Sequence, residues 1–140
     1  MPPFELIPLA TVTVTRGDIR RLGETPFSRR VIGSIADGRW EGERIKGSMI
    51  GAGGDWAIPT AGHIMLLDVR QLVETDDGAL VYLTYGGRLD LANRANGLHA
   101  MVGANFETGD ERYAWLNGIQ AVGQGRSIGD QVVYEMFEVR

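Results

Sequence analysis

The chain contains no cysteine among its 140 residues, which excludes disulfide bonds, thiolate metal sites and cysteine nucleophiles. It has only two histidines, His63 and His99, so a three-histidine metal centre is also excluded. Neither histidine has a second ligand residue at a familiar short spacing, and we expect no metal, although a site mixed with Asp or Glu remains an alternative. Each histidine is interpreted as structural or exposed, and either could serve as an acid or base near neutral pH.

Long apolar runs are missing as well. No stretch approaches the roughly 20 residues that a membrane helix requires, and the N-terminus lacks the basic and apolar regions of a secretory signal. We therefore expect a cytoplasmic protein without a membrane partner. The net charge of −4 disfavours nonspecific binding to nucleic acid, and the arginine pairs 20–21 and 29–30 are interpreted as solvated charges.

Cofactor and nucleophile motifs are also absent. The glycine-rich stretches 51–54 and 123–125 follow neither the GxGxxG nor the GxxxxGK[ST] spacing, and no GxSxG elbow occurs. These absences argue against nucleotide-dependent, redox and serine-based acyl-transfer chemistry. We expect no cofactor.

Glycine is abundant, with 20 residues spread along the chain, whereas sustained helical periodicity is scarce. This pattern predicts a single all-β domain over residues 1–140, with about eight strands and one short helix at Asp90–Leu98. The predicted strands are Leu6–Arg16, Arg29–Ile35, Arg44–Ile50, Ile64–Thr75, Ala79–Leu89, His99–Glu107, Arg112–Val122 and Gln131–Val139, with a loop at 123–130. We expect them to close into an antiparallel barrel that can hold one small ligand, and an open sandwich is the alternative.

The clearest hairpin runs from Ile64 to Leu89 around Asp76-Asp77-Gly78, a sequence that favours a tight turn. Asp68 and Arg70 lie on one face of its first strand among leucines, which suggests a polar site inside an apolar wall. The opposite face, with Met65 and Val69, could equally be the core, in which case the pair is a surface ion pair.

Gly53-Gly54-Asp55-Trp56 presents a carboxylate beside a large aromatic ring. In a dry site the pKa of Asp55 would be raised, which makes Asp55 a candidate general acid or base. The alternative is a bulge in which Asp55 caps a turn and Trp56 seals one end of the barrel.

Strand alternation over Arg112–Asn117 would place Tyr113, Trp115 and Asn117 on one face. Two aromatic side chains with polar tips and one carboxamide suit the binding of a carbonyl or phenol. An aromatic core cluster with a hydrogen-bonded Asn is the alternative interpretation.

Several blocks of the sequence resemble the family named domain of unknown function 3237, or uncharacterised protein family 0311. The blocks are Gly54–Trp56, Leu67–Arg70, Glu74–Tyr82, Phe106–Gly109, Arg112–Asn117 and Tyr134–Val139. The resemblance covers nearly the whole chain, and it implies a compact lipocalin-like or allene-oxide-cyclase-like barrel with an interior pocket and a tendency to self-associate.

The leading hypothesis is a cofactor-independent lyase, isomerase or cyclase acting on a small apolar or aromatic molecule in the barrel. The candidate catalytic residues are Asp55, Arg70 and Tyr113, and the candidate binding residues are Trp56, His63, Asp68, Tyr82, His99, Trp115 and Asn117. The alternatives are a noncatalytic binding barrel and a structural oligomer without a pocket. As partners we expect a small molecule and a second copy of the chain, with a dimer as the first guess.

Overall fold

Residues 3–92 and 99–140 are described by a computed structural model, and within them the chain forms strands and one 3-10 helix. The strands are β1 (Leu6–Arg21), β2 (Val31–Glu41), β3 (Lys46–Met49), β4 (Gly54–Pro59), β5 (Ile64–Thr75), β6 (Leu80–Asp90), β7 (His99–Glu107), β8 (Gln120–Ile128) and β9 (Gln131–Val139). The 3-10 helix spans Glu111–Gly118, between β7 and β8.

The strands close into an antiparallel barrel because β1 pairs with β9 on one side and with β2 on the other. β3 and β4 follow each other along the same path, and each pairs with both β2 and β5. Together they fill one position, so the barrel has eight strand positions. The predicted closed eight-stranded barrel is confirmed, and each of the eight strand positions among the described residues has a paired neighbour on both sides.

The β5–β6 hairpin forms as the sequence predicts. Its register pairs Val69 with Tyr85 and Leu72 with Tyr82. Gly78 takes a φ of 93° in the connecting turn, a conformation that glycine adopts without steric cost. Thr75 closes the turn by accepting a hydrogen bond from the Ala79 backbone N–H at 2.8 Å.

One end of the barrel is filled with side chains and is called the closed end here. Trp40, Ile45 and Leu116 are at most 1% exposed, and Leu116 comes from the 3-10 helix that covers this end. Trp40 and Phe106 pack edge to face, with ring centroids 5.7 Å apart. The closed end therefore holds much of the hydrophobic core.

The predicted strand Arg112–Val122 is wrong except for its last three residues, because β8 begins only at Gln120, and the predicted loop 123–130 is mostly strand β8. Asp110 explains the difference, because its carboxylate caps the helix by accepting from the Arg112 backbone N–H at 2.9 Å. β1 also continues beyond the predicted end at Arg16, through a register shift, to Arg21.

The predicted helix Asp90–Leu98 lies largely outside the described residues. Its first residue, Asp90, belongs to β6, and the Asp90 carboxylate accepts from the Ala92 backbone N–H at 3.0 Å. Among residues 3–92 and 99–140, no helix has the length and hydropathy to cross a membrane.

Candidate functional site

The opposite end of the barrel, called the open end here, contains a cavity of about 450 Å³. Its wall is mostly apolar and includes Val14, Met65, Leu67, Val69 and Leu89, which come from β1, β5 and β6. The interior above the packed core is therefore not filled by side chains. We call this space the open-end cavity.

Asp55 projects into the open-end cavity from β4, as do Ala57 and Pro59. The alternation of β4 sets this direction, and pairing of Asp55 with Val69 fixes its depth. One carboxylate oxygen accepts from the Asp68 backbone N–H at 3.0 Å. Burial nevertheless raises the pKa of Asp55 above its ordinary value, more than this hydrogen bond lowers it. An acid–base group thus faces an apolar space.

Two tyrosines line the same cavity. Tyr85 from β6 and Tyr134 from β9 pack edge to face, with ring centroids 5.2 Å apart. The pKa of Tyr134 is raised to about 12, mainly by burial and also by the negative charge of Asp55, while Arg16 acts in the opposite direction. Both hydroxyls therefore stay protonated at neutral pH and can donate hydrogen bonds.

A buried chain of hydrogen bonds supports these tyrosines from the closed end. The Trp40 indole N–H donates to Gln71 Oε1 at 3.3 Å, and Gln71 Nε2 donates to the Tyr85 hydroxyl at 3.1 Å. Gln71 is only 1% exposed, so its amide is held entirely by protein groups. Because the Tyr85 hydroxyl oxygen accepts from Gln71, the hydroxyl proton of Tyr85 is donated to a group other than Gln71. The interaction with Tyr134 favours the protonated form of Tyr85.

Gly125 on β8 makes room for Tyr134. A Cβ atom at Gly125 would lie 2.4 Å from Cε1 of the Tyr134 ring. The two residues are direct partners in the β8–β9 pairing. Glycine at this position therefore determines how closely the Tyr134 ring packs against the wall.

Asp68 and Arg70 lie on the outside of the barrel, so their predicted place inside it is wrong. The interior face of β5 carries Met65, Leu67 and Val69, and alternation sends the even-numbered residues outward. The Asp68–Arg70 ion pair is 3.9 Å long with side chains 50% and 57% exposed. The alternative of a surface ion pair is therefore the correct one.

Trp56 and Tyr82 also lie off the cavity. Trp56 neighbours Asp55 along β4 and so points to the other face, where the Arg70 guanidinium lies 5.7 Å from its ring centroid. Tyr82 is 39% exposed on the outer face of β6. Neither side chain is among those that line the open-end cavity.

Tyr113, Trp115 and Asn117 belong to the 3-10 helix at the closed end, so the structure does not bring them to Asp55. The Tyr113 hydroxyl donates to the Asp77 carboxylate at 2.9 Å, and Trp115 stacks under the Arg44 guanidinium at 4.7 Å. Asn117 exchanges two hydrogen bonds with the Thr108 backbone, at 2.8 and 3.0 Å. Their predicted common wall is wrong because a helix, not a strand, carries them.

Both histidines fall in segments at the open end. His63 is exposed and takes a φ of 65° in the turn before β5, and its carbonyl accepts from the Leu91 backbone N–H. His99 begins β7 and pairs with Arg126 through the backbone. Within residues 3–92 and 99–140, no three His, Asp or Glu side chains cluster as metal ligands would.

The family model described as "Protein of unknown function (DUF3237)" matches residues 4–139, nearly the entire chain. The chain belongs to the DUF3237 family. A UPF0311 protein of Rhodopseudomonas palustris is 29% identical over 150 residues, covering 99% of this chain and 98% of that protein. One of Bradyrhizobium diazoefficiens is 28% identical over 141 residues and covers 92% of each chain.

Solved structures of other proteins have the same fold. A beta-barrel-like protein from Acinetobacter baumannii superposes with a TM-score of 0.90 at 32% identity, covering 100% of this chain and 98% of that one. An enzyme from Penicillium herquei superposes with a TM-score of 0.79 at 21% identity, covering 100% and 97% of the two chains. At that identity the second likeness shows the fold alone.

For this DUF3237 chain, Tyr85, Tyr134 and Gln71 are the site residues that sequence reasoning missed. The sequence contains one indication of this site, because Gln71 lies between Val69 and Val73 on the inward face of β5. A single amide on an otherwise apolar face indicates a buried hydrogen-bond network. Tyr134, in contrast, reaches Tyr85 only because β9 and β6 face each other across the barrel.

Proposed function

We propose that this protein is a cofactor-independent enzyme of the lyase, isomerase or cyclase type, and that it moves a proton on a small, largely apolar molecule in the open-end cavity. One observation carries the proposal: Asp55 and Tyr134 line the same apolar cavity, and the Asp55 charge reaches the Tyr134 hydroxyl. A general base and a hydrogen-bond donor are the two groups that enolisation requires. The barrel is shared with an enzyme from Penicillium herquei, which is compatible with catalysis in this fold.

The chemistry assigns one role to each group. The Asp55 carboxylate removes a proton from a carbon next to a carbonyl, or from a phenol, and becomes a carboxylic acid. The Tyr134 hydroxyl donates a hydrogen bond to the oxygen on which negative charge develops. Asp55 then returns its proton at a second position, so the substrate is rearranged without any change in oxidation state. A raised pKa brings Asp55 closer to the working pH, where proton transfer in both directions is efficient.

Tyr85 and Gln71 act as positioning residues. Tyr85 packs against the Tyr134 ring, and Gln71 holds the Tyr85 hydroxyl from behind. This arrangement holds the Tyr134 ring at the wall of the cavity. A donor that is oriented in advance stabilises a developing oxyanion more than water does.

A noncatalytic binding protein is the second candidate, because the same cavity could hold a ligand without reaction. The open-end cavity argues against the third alternative, a structural oligomer with a filled barrel. The two candidate functions differ in their need for Asp55. Turnover requires its carboxylate as a base, whereas binding of an apolar ligand does not.

The test is a panel of enones, epoxides and phenols incubated with the wild type, Asp55→Asn and Tyr134→Phe. Arg70→Gln is the matched control, because it alters a charged residue on β5, the strand that pairs with β4, but on the outer face of the barrel. We expect turnover of at least one substrate class, with a loss of 100-fold or more in Asp55→Asn and a smaller loss in Tyr134→Phe. Equal turnover by the wild type and both cavity variants would refute the proton-transfer mechanism, and binding without turnover would favour the second candidate.

A further inference from the structure

The mouth of the open-end cavity is positively charged. Arg16, Arg21 and Arg126 line the cavity, and Asp55 is the only carboxylate among the lining residues that the structure describes. The protein as a whole carries a net charge of −4, so the positive charge at the mouth of the cavity is opposite in sign to the net charge of the chain. Clefts lined by one sign of charge concentrate ligands of the opposite sign.

Arg16 is held in place by neutral groups. Its Nη2 donates to the Ser127 hydroxyl at 2.6 Å, and its Nη1 donates to the Gly129 carbonyl at 3.1 Å. Neither partner neutralises the guanidinium charge. Two of the five N–H groups of this side chain are used for anchoring, and the remainder can meet a ligand.

No carboxylate of the protein pairs with these three arginines. The ion pairs between described residues involve six other arginines: Arg20, Arg39, Arg44, Arg70, Arg112 and Arg140. Residues 1–2 and 93–98, which the structure does not describe, contain no Asp or Glu. The acidic residues of the chain therefore all lie in the described part, and none lies within ion-pair distance of the cavity arginines.

The register shift in β1 brings the positive charges to one rim. Alternation from Val12 and Val14 directs Arg16 inward, and the shift between Arg16 and Ile19 then directs Ile19 and Arg21 inward as well. Below this rim the wall is apolar, with Leu67 and Val69 on the facing strand β5. The cavity thus combines a cationic rim with an apolar body.

We propose that the cavity ligand is an amphipathic anion, a molecule with an apolar body and a terminal carboxylate or comparable oxyanion that Arg16 binds, assisted by Arg126. This inference rests on the proposed function, because it names the substrate class of the same cavity. The apolar body of the ligand lies against the apolar wall, which includes Leu67 and Val69. Charge-assisted hydrogen bonds from a guanidinium are the strongest contacts available for such a group.

A displacement experiment tests the charge preference. The full chain is loaded with the neutral fluorophore N-phenylnaphthylamine, which is then displaced by naphthylacetate or by naphthylethanol, two competitors of similar size that differ in charge. The variants are Arg16→Gln and Arg126→Gln, with Arg70→Gln as the control arginine on the outer face. Direct binding of the neutral fluorophore to each variant shows that its cavity is intact.

We expect naphthylacetate to displace the fluorophore from the wild type at about tenfold lower concentration than naphthylethanol. Arg16→Gln should remove most of this preference, Arg126→Gln part of it, and Arg70→Gln none. Equal displacement by the two competitors in the wild type would overturn the inference and leave the proposed function intact, as would an undiminished preference in Arg16→Gln. If the fluorophore does not bind the wild type at all, the open-end cavity is not a binding site, and both proposals fail.

Discussion

The two ends of the barrel are built from the same strands but have opposite character. At the closed end Trp40 and Leu116 are fully buried, and exposed arginines form ion pairs, as between Arg39 and Asp76 at 2.7 Å. At the open end the strands enclose a cavity, Asp55 is partly buried and has no cationic partner among residues 3–92 and 99–140, and the arginines of the rim have no carboxylate partner. The closed end satisfies its side chains within the protein, whereas the open end leaves several for a ligand. We infer that stability is concentrated at the first and function at the second.

The largest expected effect is at the closed end. Trp40→Ala removes a fully buried ring that packs on Phe106 and donates to Gln71, and it should lower the free energy of unfolding by about 3–5 kcal/mol. Urea denaturation measures the loss. Phe27→Ala is the control, because Phe27 is 94% exposed, and its effect should stay within about 0.5 kcal/mol. Similar losses in both variants would contradict the assignment of the core to the closed end.

The next effect lies at the boundary between the two ends. Gly125→Ala places a methyl group against the Tyr134 ring, and we expect it to cost about 1–3 kcal/mol of stability and to shift the Tyr134 ring. Gly109→Ala, where a Cβ would meet nothing within 4 Å, should change stability far less. Thermal unfolding of both variants checks the difference, which should disappear if the Tyr134 ring does not pack on Gly125.

A smaller effect, of opposite sign, is expected at Asp55. Its pKa is raised by burial in the folded state, so the wild type loses stability as pH rises from the unfolded pKa of about 3.9 through the folded value. Asp55→Asn lacks this titration and can still accept from the Asp68 N–H. The variant should therefore become more stable than the wild type as pH rises through this window. Denaturation curves across acidic and neutral pH test this, and a variant that is less stable at neutral pH would show that the ionised carboxylate stabilises the fold.

The smallest effect is expected on the outer face. Arg70→Gln breaks a 3.9 Å ion pair whose side chains are half exposed, and exposed pairs contribute about 0–1 kcal/mol. Unfolding free energy should change by less than about 1 kcal/mol, and binding of a neutral ligand should not change. A large loss of ligand binding in Arg70→Gln would contradict the position of Arg70 outside the open-end cavity.

The sequence predicted the parts of the fold that depend on neighbouring residues. The β5–β6 hairpin, with Asp77-Gly78 at its turn, lies where alternation and turn chemistry place it. The strand prediction for Arg112–Asn117 is wrong for two reasons. A short 3-10 helix shows little helical periodicity in its sequence, and the alternation of Tyr, Ala and Trp is also typical of a strand. The capping residue Asp110 was the available signal for a helix start.

The site was harder to predict because it depends on contacts between distant strands. The sequence predicts Asp55 as a site residue, and Asp55 lines the open-end cavity, although burial and not the Trp56 ring accounts for its raised pKa. Alternation alone leaves the orientation of β5 open, and Gln71 on the apolar face is the residue that indicates it. Tyr134 meets Tyr85 only through barrel closure, which no local pattern encodes.

The location of a bound molecule tests the central claim most directly. N-phenylnaphthylamine would be titrated into isotope-labelled protein while backbone amide shifts are followed by NMR. We predict that the shifts change at residues lining the open-end cavity, such as Gly33, Ala57 and Ala100, and stay constant at Ile45 and Leu116 in the closed end. Changes confined to the closed end or to the outer face around Trp56, or no binding at all, would contradict the assignment of function to the open end.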